Sequence, residues 1–78
     1  MERVVFSEGE ARAKVGLRVD TLVDFSGVPK GTAGTVLRAD PSGVGFTLGV
    51  EWQLADRSQP LVDWFTKNEY ERFLRERP

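Results

Sequence analysis

Cysteine and histidine are both missing from this 78-residue chain, and the two absences remove most of the chemistry a small domain can carry. Without cysteine there is no disulfide framework, no thiolate nucleophile and no sulfur ligand for a metal. Without histidine, the commonest metal ligand and the usual proton shuttle near neutral pH are gone. Amides are scarce, at Asn68, Gln53 and Gln59, and arginine outnumbers lysine, a balance in keeping with a heat-adapted source. Neither sign of charge dominates. Lys and Arg number 11 against 12 Asp and Glu, for a net charge of −1, so no global positive field draws in nucleic acid or anionic lipid. No apolar run is long enough to cross a bilayer. The opening MERVVFSEGE lacks the apolar stretch of a signal peptide, which predicts a cytoplasmic protein. The expectation is a single domain over residues 1–78, near the lower size limit for one hydrophobic core.

What is present is an apolar share of 40% that includes two Trp, five Phe and one Tyr, enough for a core if most aromatics turn inward. Ser7 followed by Glu10 has the capping-box spacing, which predicts a short helix over Ser7 to Lys14 that ends before Gly16. Ahead of it, Val4 and Phe6 supply either an edge strand or the lead into that helix. Leu17, Val19, Thr21, Val23 and Phe25 alternate with Arg18, Asp20, Leu22 and Asp24, the period of a strand. SGVPKG, Ser26 to Gly31, is loop chemistry, and Gly31 and Gly34 read as a tight turn entering a second strand over Thr35 to Ala39. Asp40-Pro41-Ser42-Gly43 then reads as a turn. Val44, Phe46, Leu48, Val50 and Trp52 share one face of a third strand, the cleanest alternation in the chain. After a polar loop over Leu54 to Pro60, Leu61 to Phe65 predicts a fourth strand. Thr66 and Glu69 repeat the capping-box spacing, which predicts a helix from Lys67 to Arg75 with Tyr70, Phe73 and Leu74 on one stripe. Arg72, Arg75 and Arg77 would then face the negative pole of its dipole.

The succession KVGLRV (Lys14 to Val19), GTAGTV (Gly31 to Val36) and LGVEW (Leu48 to Trp52) resembles the Src-homology-3-like (SH3-like) barrel group. The whole chain is also similar to small uncharacterised bacterial proteins that carry VPKGT-x-GTV and DWF-x-K-x-EY-x-x-FL, here Val28 to Val36 and Asp63 to Leu74. The resemblance implies a mainly β fold, a small antiparallel SH3-like barrel with a short N-terminal and a C-terminal helix. Barrels of this group bind peptides or nucleic acids or serve as accessory subunits of enzymes, so the fold alone assigns no activity. KOW-type barrels set a similar glycine turn among many basic residues, whereas only Lys30 and Arg38 flank it here. CAP-Gly domains carry a GKNDG-like loop that this chain does not have.

Catalysis has little to work with. The most suggestive carboxylate pair is Glu51 and Asp63 beside the two tryptophans, and the simpler reading is that both keep a solvent-facing strand surface wet. Oxygen ligands at Asp20, Asp24, Glu51 and Asp63 follow no calcium-loop spacing. The segment Gly27 to Gly34 lacks the phosphate-loop pattern and no helix follows it. No enzyme activity, cofactor, metal or small-molecule substrate is therefore expected. Phe46 and Trp52 read as core. Trp64 points opposite to Phe65, so it either stands out as an interface anchor or closes the barrel end against Pro60 or Tyr70. Arg18, Lys30 and Arg38 either gather beside the Val28-Pro29 loop or pair with the interleaved Asp20, Asp24 and Asp40. The C-terminal arginines alternate with Glu69, Glu71 and Glu76 as on a solvated helix face. The reading that follows is a non-enzymatic module that binds a protein partner or another copy of itself, with no membrane role. Its candidate contact residues are Val28, Pro29, Lys30 and Trp64, with Arg18 and Arg38. The alternatives are a KOW-like nucleic-acid or ribosome binder and an accessory subunit of a larger enzyme.

Overall fold

Both helices begin where the sequence closes a reciprocal pair of hydrogen bonds. In the computed structural model, which describes residues 5–25, 27–54 and 59–77, Ser7 caps α1 (Glu8–Lys14) and accepts from the Glu10 amide while Glu10 accepts from the Ser7 amide. Thr66 and Glu69 do the same for α2 (Lys67–Phe73). Each box satisfies amides that a helix start otherwise leaves free. Ahead of α1, Phe6 makes one antiparallel bridge to Phe46 and is 1% exposed. The edge-strand alternative for the first residues falls mostly on 1–4, outside the described residues.

The strands are β1 (Arg18–Thr21), β2 (Ala33–Ser42), β3 (Gly45–Trp52), β4 (Leu61–Phe65) and β5 (Leu74–Glu76). They form one antiparallel sheet in the order β4-β3-β2-β1-β5. Among the described residues β4 and β5 end the sheet without a ladder joining them. No described helix is long and apolar enough to cross a membrane.

Four expectations are corrected. The first strand stops at Thr21 and does not run on to Phe25. There the Thr21 hydroxyl accepts from the Val23 amide at 3.2 Å and donates to the Val23 carbonyl, a local turn that competes with the ladder. The second strand extends through Asp40, Pro41 and Ser42, and the reversal is the two-residue Gly43-Val44 connection. Gly43 has φ +60° and Val44 is not positive, the pattern of a hairpin turn whose twist matches the strands. Pro41 is tolerated because it lies on a stretch of β2 that β1 does not reach. Gly34 is a strand residue, not a turn residue: a Cβ there would lie 2.7 Å from the Trp52 ring. Finally, the C-terminal helix ends at Phe73. Leu74 turns extended, with φ −121° and ψ 149°, and Leu74–Glu76 pairs with β1.

A bulge sets which side chains face inward. The β2–β3 register shifts between Val36 and Arg38, so Leu37 is the extra residue and the inward parity changes after it. Val36 and Ala39 both face the core, and Arg38 and Asp40 are spared burial. The inner face then stacks in rows: Val19, Gly34, Trp52 and Leu61, then Val36, Val50 and Asp63, then Ala39, Leu48 and Phe65. Val19, Leu48 and Val50 are 0% exposed.

The last strand is clasped at two points. Asp20 sits beneath the C-terminal arginines, 2.7 Å from Arg77 Nε and 3.6 Å from Arg75. Glu76 accepts from the Tyr70 hydroxyl at 2.8 Å and from Lys14 on α1. The Arg77 hydrogen bond, with help from Arg75, holds the Asp20 carboxyl below its ordinary range. Lys14 and then Tyr70 do so for Glu76, while burial and the Glu76 carboxylate push the Tyr70 hydroxyl upward. Of the arginines expected at the helix end, Arg72 lies in the last turn of α2, whereas Arg75 and Arg77 are partners of the buried Asp20 carboxylate.

Two outcomes follow. Gly34→Val forces a side chain into the Trp52 ring, and urea unfolding should read a loss of about 1–3 kcal/mol, the usual cost of overpacking. A lowered native pKa contributes stability above the carboxylate's ordinary pKa and loses it as pH falls through the native value. Wild-type stability should therefore decline as pH drops below about 4 to 5, the ordinary carboxylate range. In Asp20→Asn the decline should be shallower and the stability at neutral pH lower, which denaturant midpoints at several pH values would measure.

Candidate functional site

The parity of β4 divides its side chains between two surfaces. Phe65 is 3% exposed and Trp64 is 46% exposed. Leu61, Asp63 and Phe65 face inward, and Val62 and Trp64 face outward. Trp64 lies over Gly49 of β3, where an added Cβ would come within 3.0 Å of the indole. Only a glycine leaves room for the ring to lie flat on the sheet. Arg38 reaches over the same indole, 5.9 Å from the ring, and pairs with Asp40 at 3.1 Å. Such an exposed cation–π contact contributes about 0.5–1 kcal/mol, enough to bias the orientation of Trp64.

The inward side leads to an aromatic cluster. Phe25 comes off the turn after β1, and its ring centre is 5.5 Å from Phe65, 6.0 Å from Phe73 and 6.1 Å from Trp52. The Phe65 and Phe73 contacts are edge-to-face, a geometry in which positive ring edges meet negative faces. Between β4, α2 and the segment after β1 this cluster leaves a hollow of about 270 Å³ lined by Phe25, Asp63, Trp64, Phe65, Glu69 and Phe73. Aromatic walls and two carboxylates make up its lining. That combination is the candidate site.

Its carboxylates are held from outside the hollow. Asp63 Oδ2 accepts from the buried Trp52 Nε1–H at 2.8 Å, and Glu69 Oε1 accepts from the Thr66 amide and hydroxyl. The suggested pairing of Glu51 with Asp63 does not occur. Asp63 lies beside Val50 on the inner face, and Glu51 lies on the outer face between Thr35 and Val62. Residues one apart in register on neighbouring strands face opposite ways. Asp63 is thus not a wetting residue on a solvent face but the acceptor for a core indole.

The contact residues expected from sequence scatter. Val28 is 1% exposed, so its side chain anchors the loop and is not open to a partner. It exchanges backbone hydrogen bonds with Phe25 at 2.8 and 2.9 Å, and that bridge aims Phe25 at the core. Pro29 and Lys30 are exposed, and the Lys30 amide donates to Asp24 at 2.7 Å. Neither lines the hollow. Ser26 lies outside the described residues, as does the centre of the Leu54 to Pro60 loop. Arg18 shares the outer face with Arg38 but pairs in register with Thr35, and Asp20 takes Arg75 and Arg77 as partners. The structure brings together Arg38 and Trp64 from the expected set. Phe25, Glu69 and Phe73 were missed. The strand period carries Phe25 along a continuing strand, and Glu69 and Phe73 read as a cap and a core stripe; the signal in the residues is only that Asp63, Trp64, Phe65, Glu69 and Phe73 fall close together late in the chain.

Among the described residues no three acidic side chains converge as a metal site requires. Comparison with known proteins finds no matching family model, no matching curated protein and no matching solved structure.

The two tryptophans should be separable in solution. Trp64→Phe is expected to leave blue-shifted emission from Trp52 that resists acrylamide quenching, because Trp52 is 2% exposed. The emission removed by that substitution should be the quenchable, red-shifted component.

Proposed function

We propose that this chain is a non-enzymatic SH3-like barrel module that binds a protein partner at the hollow between β4, α2 and the segment after β1. A barrel is supported by the return of the last strand to the first and by inner-face residues from β1 to β5 meeting in one core. The gap between β4 and β5 is covered by α2 and Phe25, and the hollow opens there. The observation that carries the binding reading is Trp64. An indole left 46% exposed and laid flat on a glycine, beside a hollow with aromatic walls, has the amphipathic, low-entropy character of an interface anchor.

The nucleic-acid alternative draws less from the geometry. Arg38 is paired with Asp40, Arg75 and Arg77 share the Asp20 carboxylate, and the hollow is lined by two acids and no described basic residue. Cationic side chains already matched by carboxylates release few counterions on binding a phosphate backbone.

Affinity capture from cells of the source organism, run in parallel with the wild-type chain and Trp64→Ala, tests the proposal. A partner kept by the wild type and lost by the variant supports it. Identical captured sets, with both chains folded by circular dichroism, overturn it. A second copy as the partner would appear as a concentration-dependent mass in light scattering that Trp64→Ala abolishes.

A further inference from the structure

Resting on the partner-binding reading, we infer that the hollow receives a cationic side chain of that partner, an arginine inserted between the aromatic walls and the Asp63 and Glu69 carboxylates. Four observations converge on a cation. The lining is aromatic at Phe25, Trp64, Phe65 and Phe73, and aromatic π-systems attract positive charge. Two of these rings already hold guanidinium groups of the chain itself, Arg38 at 5.9 Å over Trp64 and Arg72 at 5.6 Å over Phe73. Among the described residues no lysine or arginine lines the hollow itself, and neither Asp63 nor Glu69 has an ion-pair partner. Each carboxylate also uses one oxygen for structure, Asp63 Oδ2 for the Trp52 indole and Glu69 Oε1 for the Thr66 cap. The other oxygen of each, Asp63 Oδ1 and Glu69 Oε2, has no hydrogen-bond partner among the described residues.

Guanidinium fits this arrangement better than ammonium. It is planar, stacks on aromatic faces and presents five N–H donors in a fixed fork that can serve two separate carboxylates. A lysine ammonium offers a compact, strongly hydrated charge with no face to stack. An aliphatic side chain would leave both free carboxylate oxygens to lose solvent without compensation.

The structural duties of the two acids survive loss of charge, and this makes the inference testable. Asparagine at 63 still accepts from the Trp52 indole, and glutamine at 69 still completes a capping box. The probe is acetyl-arginine-methylamide, with the citrulline, norleucine and lysine analogues as controls, titrated into the folded chain. The readout is the indole N–H resonances of Trp52 and Trp64. The arginine probe should shift both resonances saturably, while citrulline binds at least about tenfold more weakly because it makes no charge-assisted hydrogen bonds. Asp63→Asn and Glu69→Gln should each weaken the arginine probe by about fivefold or more with the unfolding midpoint little changed. Citrulline or norleucine binding as well as arginine would overturn the cationic assignment and leave the partner-binding reading standing. Tighter binding of the lysine probe would overturn the guanidinium choice. If no probe moves either indole, the cation inference fails, and the Trp64→Ala capture comparison decides separately whether a partner binds there.

Discussion

The buried indole of Trp52 is the contact on which the remainder of this fold depends. Its ring covers the space above Gly34, meets Phe65 edge-to-face and Phe25 at a 36° tilt, and its only polar atom donates to Asp63. A large aromatic can be buried this completely only when its N–H finds an acceptor. Strand β4 supplies that acceptor from the edge of the sheet, so one hydrogen bond couples the packing of the core to the position of an edge strand. The same bond orients a carboxylate beside the hollow. Core and candidate site therefore share one residue, Asp63.

A sheet this small has to bend to enclose anything, and three local devices achieve that bend. The Leu37 bulge changes the parity of β2, so that Ala39 turns inward after Val36 while Arg38 and Asp40 stay in water. Glycines under Trp52 and Trp64 let the indoles lie against the backbone on the two faces. At the far edge, Asp20 and Glu76 draw the last strand onto β1 with partners from α1, α2 and the C-terminal arginines. Seven-residue helices such as α1 and α2 are marginal alone. Here the Lys67–Glu10 pair at 3.2 Å links one to the other, and Phe6 meets Tyr70 edge-to-face at 5.7 Å beneath them.

What could be read from the residues was whatever depends on neighbours in sequence. Both capping boxes, the β3 alternation from Phe46 to Trp52 and the β4 run are local patterns, and each element lies within a few residues of its expected place, though Val44, read as the first of the core face, sits exposed in the turn. Period two also placed Trp64 opposite to Phe65, but whether it stands exposed or closes an end of the sheet was settled only by the paired strands. The misreadings share a cause, which is dependence on distant partners. Leu74–Glu76 continues a helical stripe until β1 offers it an unpaired edge, and Asp20 looks solvated until residues 57 positions later cover it. Asp63 looked like a partner for Glu51 because register, and so facing, cannot be known before the strands are paired. The hollow was illegible for the same reason. It is built from Phe25, Phe73 and the β4 edge, which converge only once the sheet has bent.

That convergence bears on why the hollow exists at all. A fully closed sheet would join its two end strands and fill the space between them with side chains. Here the chain departs from β4 through Thr66, spends seven residues in α2 and returns as β5 on the opposite edge. The seam is thus bridged by a helix and a phenylalanine, not by a ladder. A seam bridged by side chains can be apolar and polar at once, because each residue arrives from a different element with its own constraints. Phe25 is aimed by the Val28 bridge, Glu69 is fixed as a cap, and Asp63 is tied to an indole. Two acids stand beside an aromatic cluster because other parts of the fold need one oxygen of each. Those structural duties leave the second oxygen of each without a hydrogen-bond partner among the described residues, which is the property a docking cation would use.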